Sequence, residues 1–259
     1  MGLRIEAVGM IRSALTLLPK GASCLVMGAL DCDFSLKDLI RKYPEYGKVF
    51  KPAAGDPRSC ELKAVLGALG CGDVNTIDIN ERADIKTDLS STVESSLTGK
   101  ADLILDCGTL EHIFDTKSAV VNMNLMLKKG GIIIHMSPVS FYGHGFVNFN
   151  PSYFDSLYAG SGYDQIFRMM NVTVYNPFFV IDTSRLSAFP AFICKAVNKI
   201  MVRAPLFRFN VNLPLRGQKK RFSLFESAIS QFGMPKNLVY CCVYRKTTEA
   251  LKIPYDVWE

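Results

Sequence analysis

The stretch from Lys100 to Asn150, KADLILDCGTLEHIFDTKSAVVNMNLMLKKGGIIIHMSPVSFYGHGFVNFN, constrains the fold of this 259-residue chain more than any other. Ala101 to Leu105 is a short apolar run, which predicts a buried strand. Thr116 to Leu127 carries Ala119, Val120, Met123 and Leu127 at helical spacing, with Lys128 and Lys129 placed for a last turn and Gly130 as a stop. Ile132 to Met136 reads as a second buried strand. Two apolar strands joined by a helix make a βαβ unit, so the strands are expected to be parallel with a right-handed crossover. Polar residues crowd both strand C-terminal ends: Asp106, Thr109, Glu111 and His112 at one, Ser137, Ser140, His144 and Asn148 at the other. Open α/β sheets bind ligands at such ends. All three histidines, His112, His135 and His144, fall inside this window.

The rest of the chain reads as more of the same sheet. Residues 4 to 18 form an amphipathic helix, and Ser23 to Met27 is the first core strand, followed by Gly28. In a doubly wound sheet this first turn faces a ligand, and glycine lets the backbone approach closely. Helices are expected over Phe34 to Tyr46 and Glu61 to Leu69. A second strand, Val74 to Ile77, ends in Asp78, where an acid can accept hydrogen bonds from the two hydroxyls of a ribose. Asp-x-Asn is also good turn chemistry. The spacing from Gly28 exceeds the usual ~20 residues, and an insertion over residues 35 to 60 accounts for it. Ala83 to Leu89 reads as a third strand. Beyond Asn150 a helix over Pro151 to Gly160 leads to strands over Ile166 to Tyr175 and Phe178 to Ile181, an amphipathic segment from Leu186 to Arg203, a basic loop from Leu213 to Arg221 and a last strand, Leu238 to Tyr244.

Composition narrows the classes. An apolar fraction of 49% is ample for a core. Eight cysteines with no C-x-x-C pair point to reduced, buried thiols and a cytoplasmic setting, without cysteine-ligated zinc. No apolar run reaches membrane-spanning length. Between Arg185 and Lys246 twelve Lys/Arg face one acid, Glu226. That basic quarter, with Arg216, Lys219, Lys220 and Arg221, suits phosphates on a sugar acceptor or an anionic membrane surface, or is a solvated face. A nucleic-acid partner is the weaker option, since no RNA-binding motif accompanies the charge.

The order strand–Gly, strand–Asp, strand–Asp-Leu, DLILDCGTLEH, LKKGGIIIH resembles class I S-adenosylmethionine-dependent methyltransferases. More closely, GTLEHIFD, KKGGIIIHMSP and HGFVNFNPSYF resemble a bacterial subgroup often associated with surface-carbohydrate or secondary-metabolite biosynthesis. The likeness runs from about Lys20 to Phe154. It implies an α/β fold, a Rossmann-like seven-stranded sheet of order 3-2-1-4-5-7-6 with the last strand antiparallel. It divides the chain into an N-terminal helix (1–20), a cofactor-binding core (21–154) and a substrate-side elaboration (155–259). It implies S-adenosyl-L-methionine lying across Gly28, Asp78, Asp88 and the loop after Asp106, with Asp78 on the ribose, Asp88 and Leu89 near the adenine, and Cys107 to Glu111, Gly108 among them, passing under the methionine part. The family carries an acid at the end of the first strand and further glycines after it. Here those positions read Met27, Ala29 and Leu30, with Asp31 the substitute acid.

Methyl transfer to a hydroxyl or amine requires alignment and, for some acceptors, a base. His144 and His112 are the candidate bases, each with the alternative of a hydrogen bond that orders its loop; His135, inside a strand, is expected to be structural. Tyr142, His144, Phe146 and Asn148 are the candidate acceptor contacts, within an aromatic group that is otherwise core. No paired spacing supports a histidine metal site, and no metal is expected. The expected acceptor is a small molecule or glycan. A methyltransferase-like binding or assembly protein without activity is the alternative that Met27 and the absent glycines favour. A nicotinamide-dependent oxidoreductase would need G-x-G-x-x-G after the first strand, and that motif is absent.

Overall fold

The computed structural model describes residues 2–48, 61–141, 143–172, 179–180, 211–213, 234–235, 238–249 and 251. Its strands are β1 (Ala22–Met27), β2 (Cys71–Asp78), β3 (Ile85–Lys86), β4 (Ala101–Asp106), β5 (Leu127–Pro138), β6 (Tyr163–Val172), β7 (Phe179–Val180), β8 (Val211–Leu213), β9 (Met234–Pro235) and β10 (Leu238–Lys246). The helices are α1 (Ile5–Leu15), α2 (Leu36–Lys42), α3 (Leu62–Leu69), α4 (Thr116–Met126) and α5 (Pro151–Tyr158). The main sheet has the order β3-β2-β1-β4-β5-β10-β6-β8, while β7 and β9 pair separately. Its first seven positions reproduce the expected 3-2-1-4-5-7-6, with β10 as the seventh strand. The short β8 is an addition at the edge. The strands from β3 to β5 run parallel, and β10 is antiparallel to both β5 and β6.

The central strands alternate between two apolar clusters, as strands covered on both faces must. Cys24 and Val26 of β1 and Ile132, Ile134 and Met136 of β5 join a core shared with α1, α2 and α3. Leu25, Met27 and Ile133 join a second core beneath α4 and α5. Caps fix the helix starts. Ser35 accepts from the Asp38 N–H ahead of α2, Asp115 from Ser118 ahead of α4, and Asn150 from Ser152 ahead of Pro151 at the start of α5. No helix among the described residues is long and apolar enough to cross a membrane.

Several sequence expectations change. The third strand shrinks to Ile85–Lys86. The strand after α5 begins at Tyr163, three residues early. The expected helix over Phe34 to Tyr46 is instead α2 followed by a short 3-10 turn at Pro44–Lys48. Lys128 and Lys129 do not close α4, which ends at Met126 and passes directly into β5. A distant residue caps it: the Lys246 ammonium, 2% exposed, donates to the carbonyls of Asn124 and Leu127, both at 2.9 Å, and pairs with Glu249 at 2.9 Å. Lys128 pairs with Asp102 at 2.9 Å. Residues 186–203, 214–221 and Tyr142 lie outside the described residues, so the structure does not bear on the readings of the basic segment or of Tyr142.

Candidate functional site

Three loops at the C-terminal ends of β1, β2 and β4 are bonded into one floor. Gly28, with φ +87°, turns the chain out of β1, and its N–H donates to the Ile77 carbonyl at 2.7 Å. A side chain there would be strained, and its Cβ would come within 2.5 Å of Thr109 Oγ1. The Thr109 hydroxyl donates to the Met27 carbonyl at 2.6 Å, tying the third loop to the first. The Ala29 N–H donates to Asp78 Oδ2 at 2.9 Å, and the Asn80 N–H to Asp78 Oδ1 at 3.1 Å. A carboxylate has about four lone-pair sites, so Asp78 keeps acceptor capacity beyond these two bonds. Above this floor lies a cleft of about 640 Å³ lined by Gly28, Asp78, Asp88, Gly108, Thr109 and His112, with Ile79 and Phe114 on its rim. That volume is in the range of small-molecule sites.

Asp88 accepts from the N–H of Ser90 (2.8 Å) and the hydroxyls of Ser90 (2.7 Å) and Ser91 (3.2 Å). These bonds hold its carboxyl below the usual range, so it stays ionised at the cleft wall. Asp31 is elsewhere: its exposed carboxylate meets Arg82 at 3.1 Å and does not line the cleft. Asp106, Cys107 and Glu111 are likewise not among the residues lining it. Cys107 belongs to the core under α1 to α3, where burial pushes its thiol up. Asp106 is fully buried and shapes the loop, with Oδ1 accepting from the N–H groups of Thr109 (3.2 Å) and Leu110 (3.1 Å). Its Oδ2 lies 2.7 Å from His135 Nδ1, and His135 Nε2 lies 2.6 Å from the Tyr158 hydroxyl. Donation from Nδ1–H to the carboxylate leaves Nε2 to accept from Tyr158, whose hydroxyl burial keeps protonated. His135 thus anchors α5 to the loop, a structural part.

The remaining site residues gather beside the cleft. Glu111 and His112 sit in a 3-10 turn, Leu110–His112. The loop after β5 folds over it, the N–H of Phe146 donating to the Glu111 carbonyl at 2.7 Å. Gly145, with φ +69°, permits that approach, because a Cβ would come within 2.7 Å of the same carbonyl oxygen. His144 Nε2 then lies 3.5 Å from Glu111 Oε1, and the His112 and His144 rings meet edge to face at 4.7 Å. Burial first, and the Asp106 charge second, push the Glu111 carboxyl up to about 8. Burial pushes His112 and His144 down, His144 further through its neighbour His112, so both imidazoles are neutral near pH 7. Asn148 is used locally, accepting from the Phe141 N–H at 2.9 Å and donating to its carbonyl at 3.0 Å. Phe146 is 70% exposed against Phe114, 87% exposed, their centroids 6.0 Å apart.

Phe114 and Ile79, which line the cleft, were not singled out by the sequence pattern; Thr109 was, among the polar residues after the strand. The available signal for Phe114 was an aromatic directly before Asp115, the cap of the next helix.

No family model matches the chain, and no curated protein matches it. Solved structures similar to it include a SAM-dependent methyltransferase from Archaeoglobus fulgidus (11% identity, 93% of each chain, TM-score 0.45). Others are the 1,6-didemethyltoxoflavin-N1-methyltransferase of Burkholderia thailandensis (11% identity, 94% of this chain and 77% of that one, TM-score 0.43) and the N-methyltransferase NodS of Bradyrhizobium japonicum WM9 (18% identity, 65% and 79%, TM-score 0.41). Likenesses this remote speak to neither activity nor ligand. The strand order rests on the pairings in this chain.

Proposed function

We propose that the chain is an S-adenosylmethionine-dependent methyltransferase acting on a small molecule or glycan, at oxygen or nitrogen. The observation that carries this reading is the cleft built by the loops after β1, β2 and β4, with bare backbone at Gly28 and a carboxylate with spare acceptor capacity at Asp78. The residues fit the cofactor. Asp78 would accept from the ribose hydroxyls, Asp88 and Leu89 would flank the adenine, and Gly108 and Thr109 would run beneath the methionine part. Bound there, the cofactor supplies a methyl group on a sulfonium. The protein's own work is alignment, exclusion of water and, where the acceptor needs it, removal of a proton. Neutral His112, on the cleft wall, and His144 beside it are placed to take that proton. Phe114 and Phe146 offer apolar surface to the acceptor, and residues 155–259 carry the choice of acceptor, with the basic segment suited to phosphate. The cytoplasmic setting is proposed from cysteine usage in the sequence, eight cysteines with no C-x-x-C pair.

The second reading, a methyltransferase-like binding protein without activity, is favoured by one observation: fully buried Met27 ends β1 where the resemblance calls for an acid. Calorimetry with S-adenosylmethionine and S-adenosylhomocysteine separates the two. Micromolar binding, weakened at least tenfold by Asp78→Asn, supports the enzyme and warrants an acceptor screen beginning with nucleotide sugars. No binding by folded wild-type protein overturns it.

A further inference from the structure

Beside the cleft, Glu111, His112 and His144 each present a ligating atom, all within 4.8 Å of one another. Glu111 is fully buried, and neither carboxylate oxygen has a hydrogen-bond partner among the described residues. His144 Nε2 is likewise buried without a hydrogen bond, standing 3.5 Å from Glu111 Oε1, the outer limit for such a bond. Burying polar groups without partners is costly, and native proteins compensate such groups with hydrogen bonds or cations. We propose that Glu111, His112 and His144 bind a first-row divalent cation of the zinc class.

The donor set selects the ion. Two imidazoles and one carboxylate suit zinc, cobalt or iron, whereas calcium and magnesium prefer oxygen alone. The backbone holds the donors in place before any ion arrives. Asp106 fixes the start of the turn through the Thr109 and Leu110 N–H groups, and the Glu111 carbonyl receives the Phe146 N–H of the loop that brings His144. Bonds of about 2.1 Å in a tetrahedral site set ligands about 3.4 Å apart, so donors within 4.8 Å of one another must close by up to about 1.4 Å at the widest pair. His112 is exposed, so turning its ring toward the other two donors displaces no core side chain. Three protein ligands leave a coordination position open. His112 also lines the cleft, so that position adjoins it. There it would take water or an acceptor oxygen and make it more acidic. With an ion bound, the imidazoles are ligands, and acidification by the ion replaces proton removal by a histidine. That role rests on the methyltransferase reading, but binding of the ion does not.

The test uses chelator-stripped full-length protein titrated with Co²⁺ and then displaced with Zn²⁺. One equivalent should bind with micromolar or tighter affinity and give the visible absorption of a nitrogen- and oxygen-ligated ion of low coordination number. His112→Ala, His144→Ala and Glu111→Gln should each weaken binding at least tenfold. His112 is exposed, so its variant probes the site even where the buried variants fail to fold, as read by circular dichroism. The inference is overturned by wild-type protein that binds no Co²⁺ at millimolar concentration, by binding that His112→Ala leaves unchanged, or by a thiolate-to-cobalt band assigning the ion to cysteine. Loss of S-adenosylmethionine binding with Co²⁺ binding intact would count against the cofactor alone.

Discussion

The buried carboxyl of Glu111 should make this protein less stable as pH rises, and Glu111→Gln should remove that penalty. Its carboxyl moves from an ordinary 4.5 to about 8 in the folded chain, chiefly through burial. Between those values the unfolded chain has released the proton and the folded chain still holds it. The folded state therefore binds more protons, and stability falls as pH rises from about 4.5 to about 8, then levels off. At about 1.4 kcal/mol per pH unit, the loss approaches about 5 kcal/mol, an upper bound that water entry or small shifts would reduce to roughly 2–4 kcal/mol. Glutamine keeps the shape and does not titrate. Urea denaturation from pH 5 to 8.5, with chelator present, should show wild type and variant differing by a constant offset plus a gap that opens toward pH 8 in the variant's favour. The lowered histidines titrate in both proteins, so the difference reads Glu111 together with its coupling to His144, 3.5 Å away. Parallel stability curves would refute the reasoning and show that Glu111 is solvated or paired in solution.

Gly28→Ala should cost about 2 kcal/mol or more, from the positive φ and the collision with Thr109, and should weaken S-adenosylmethionine binding measured by calorimetry. Lys246→Met leaves the carbonyls of Asn124 and Leu127 without their donor and should lower stability by about 2–4 kcal/mol in a urea melt, with helix loss localised to the end of α4 by hydrogen exchange. Tyr158→Phe removes the donor to His135 Nε2 and should cost about 1–2 kcal/mol by the same melt without changing cofactor affinity.

Much of the fold was legible because its signals are local. The βαβ window, the strand ending in Asp78 and the glycine after β1 each declare themselves within a few residues, and the resemblance supplied the strand order that periodicity cannot. The end of α4 was not legible, because Lys246, far along the chain, decides it, and adjacent lysines are a plausible local decoy. Among the site residues, Gly28, Asp78, Asp88, Gly108 and His112 line the cleft, while Asp31, Asp106, Cys107 and Glu111 do not. Alternation explains part of this: Cys107 continues the inward-facing parity of Leu103 and Leu105, which no motif displays. The meeting of Glu111 with His144 was illegible for another reason. It depends on a glycine-rich loop folding back across a 3-10 turn, a tertiary contact with no period in sequence.

The position of β10 has a consequence for how the molecule is made. It fills the slot between β5 and β6, pairing with Ile132–Pro138 on one side and Tyr163–Val172 on the other. On the ribosome, β1 to β5 can zip together as they emerge, but the sheet then waits, split, through more than sixty residues of synthesis before Leu238 arrives. Throughout that interval two open edges, one of them carrying the isoleucines of β5, face any neighbouring nascent chain. A chain terminated at residue 237 should therefore partition into the pellet on cell lysis, while full-length chain stays in the supernatant. The final strand is the closing stitch, and the protein is most vulnerable just before it is made.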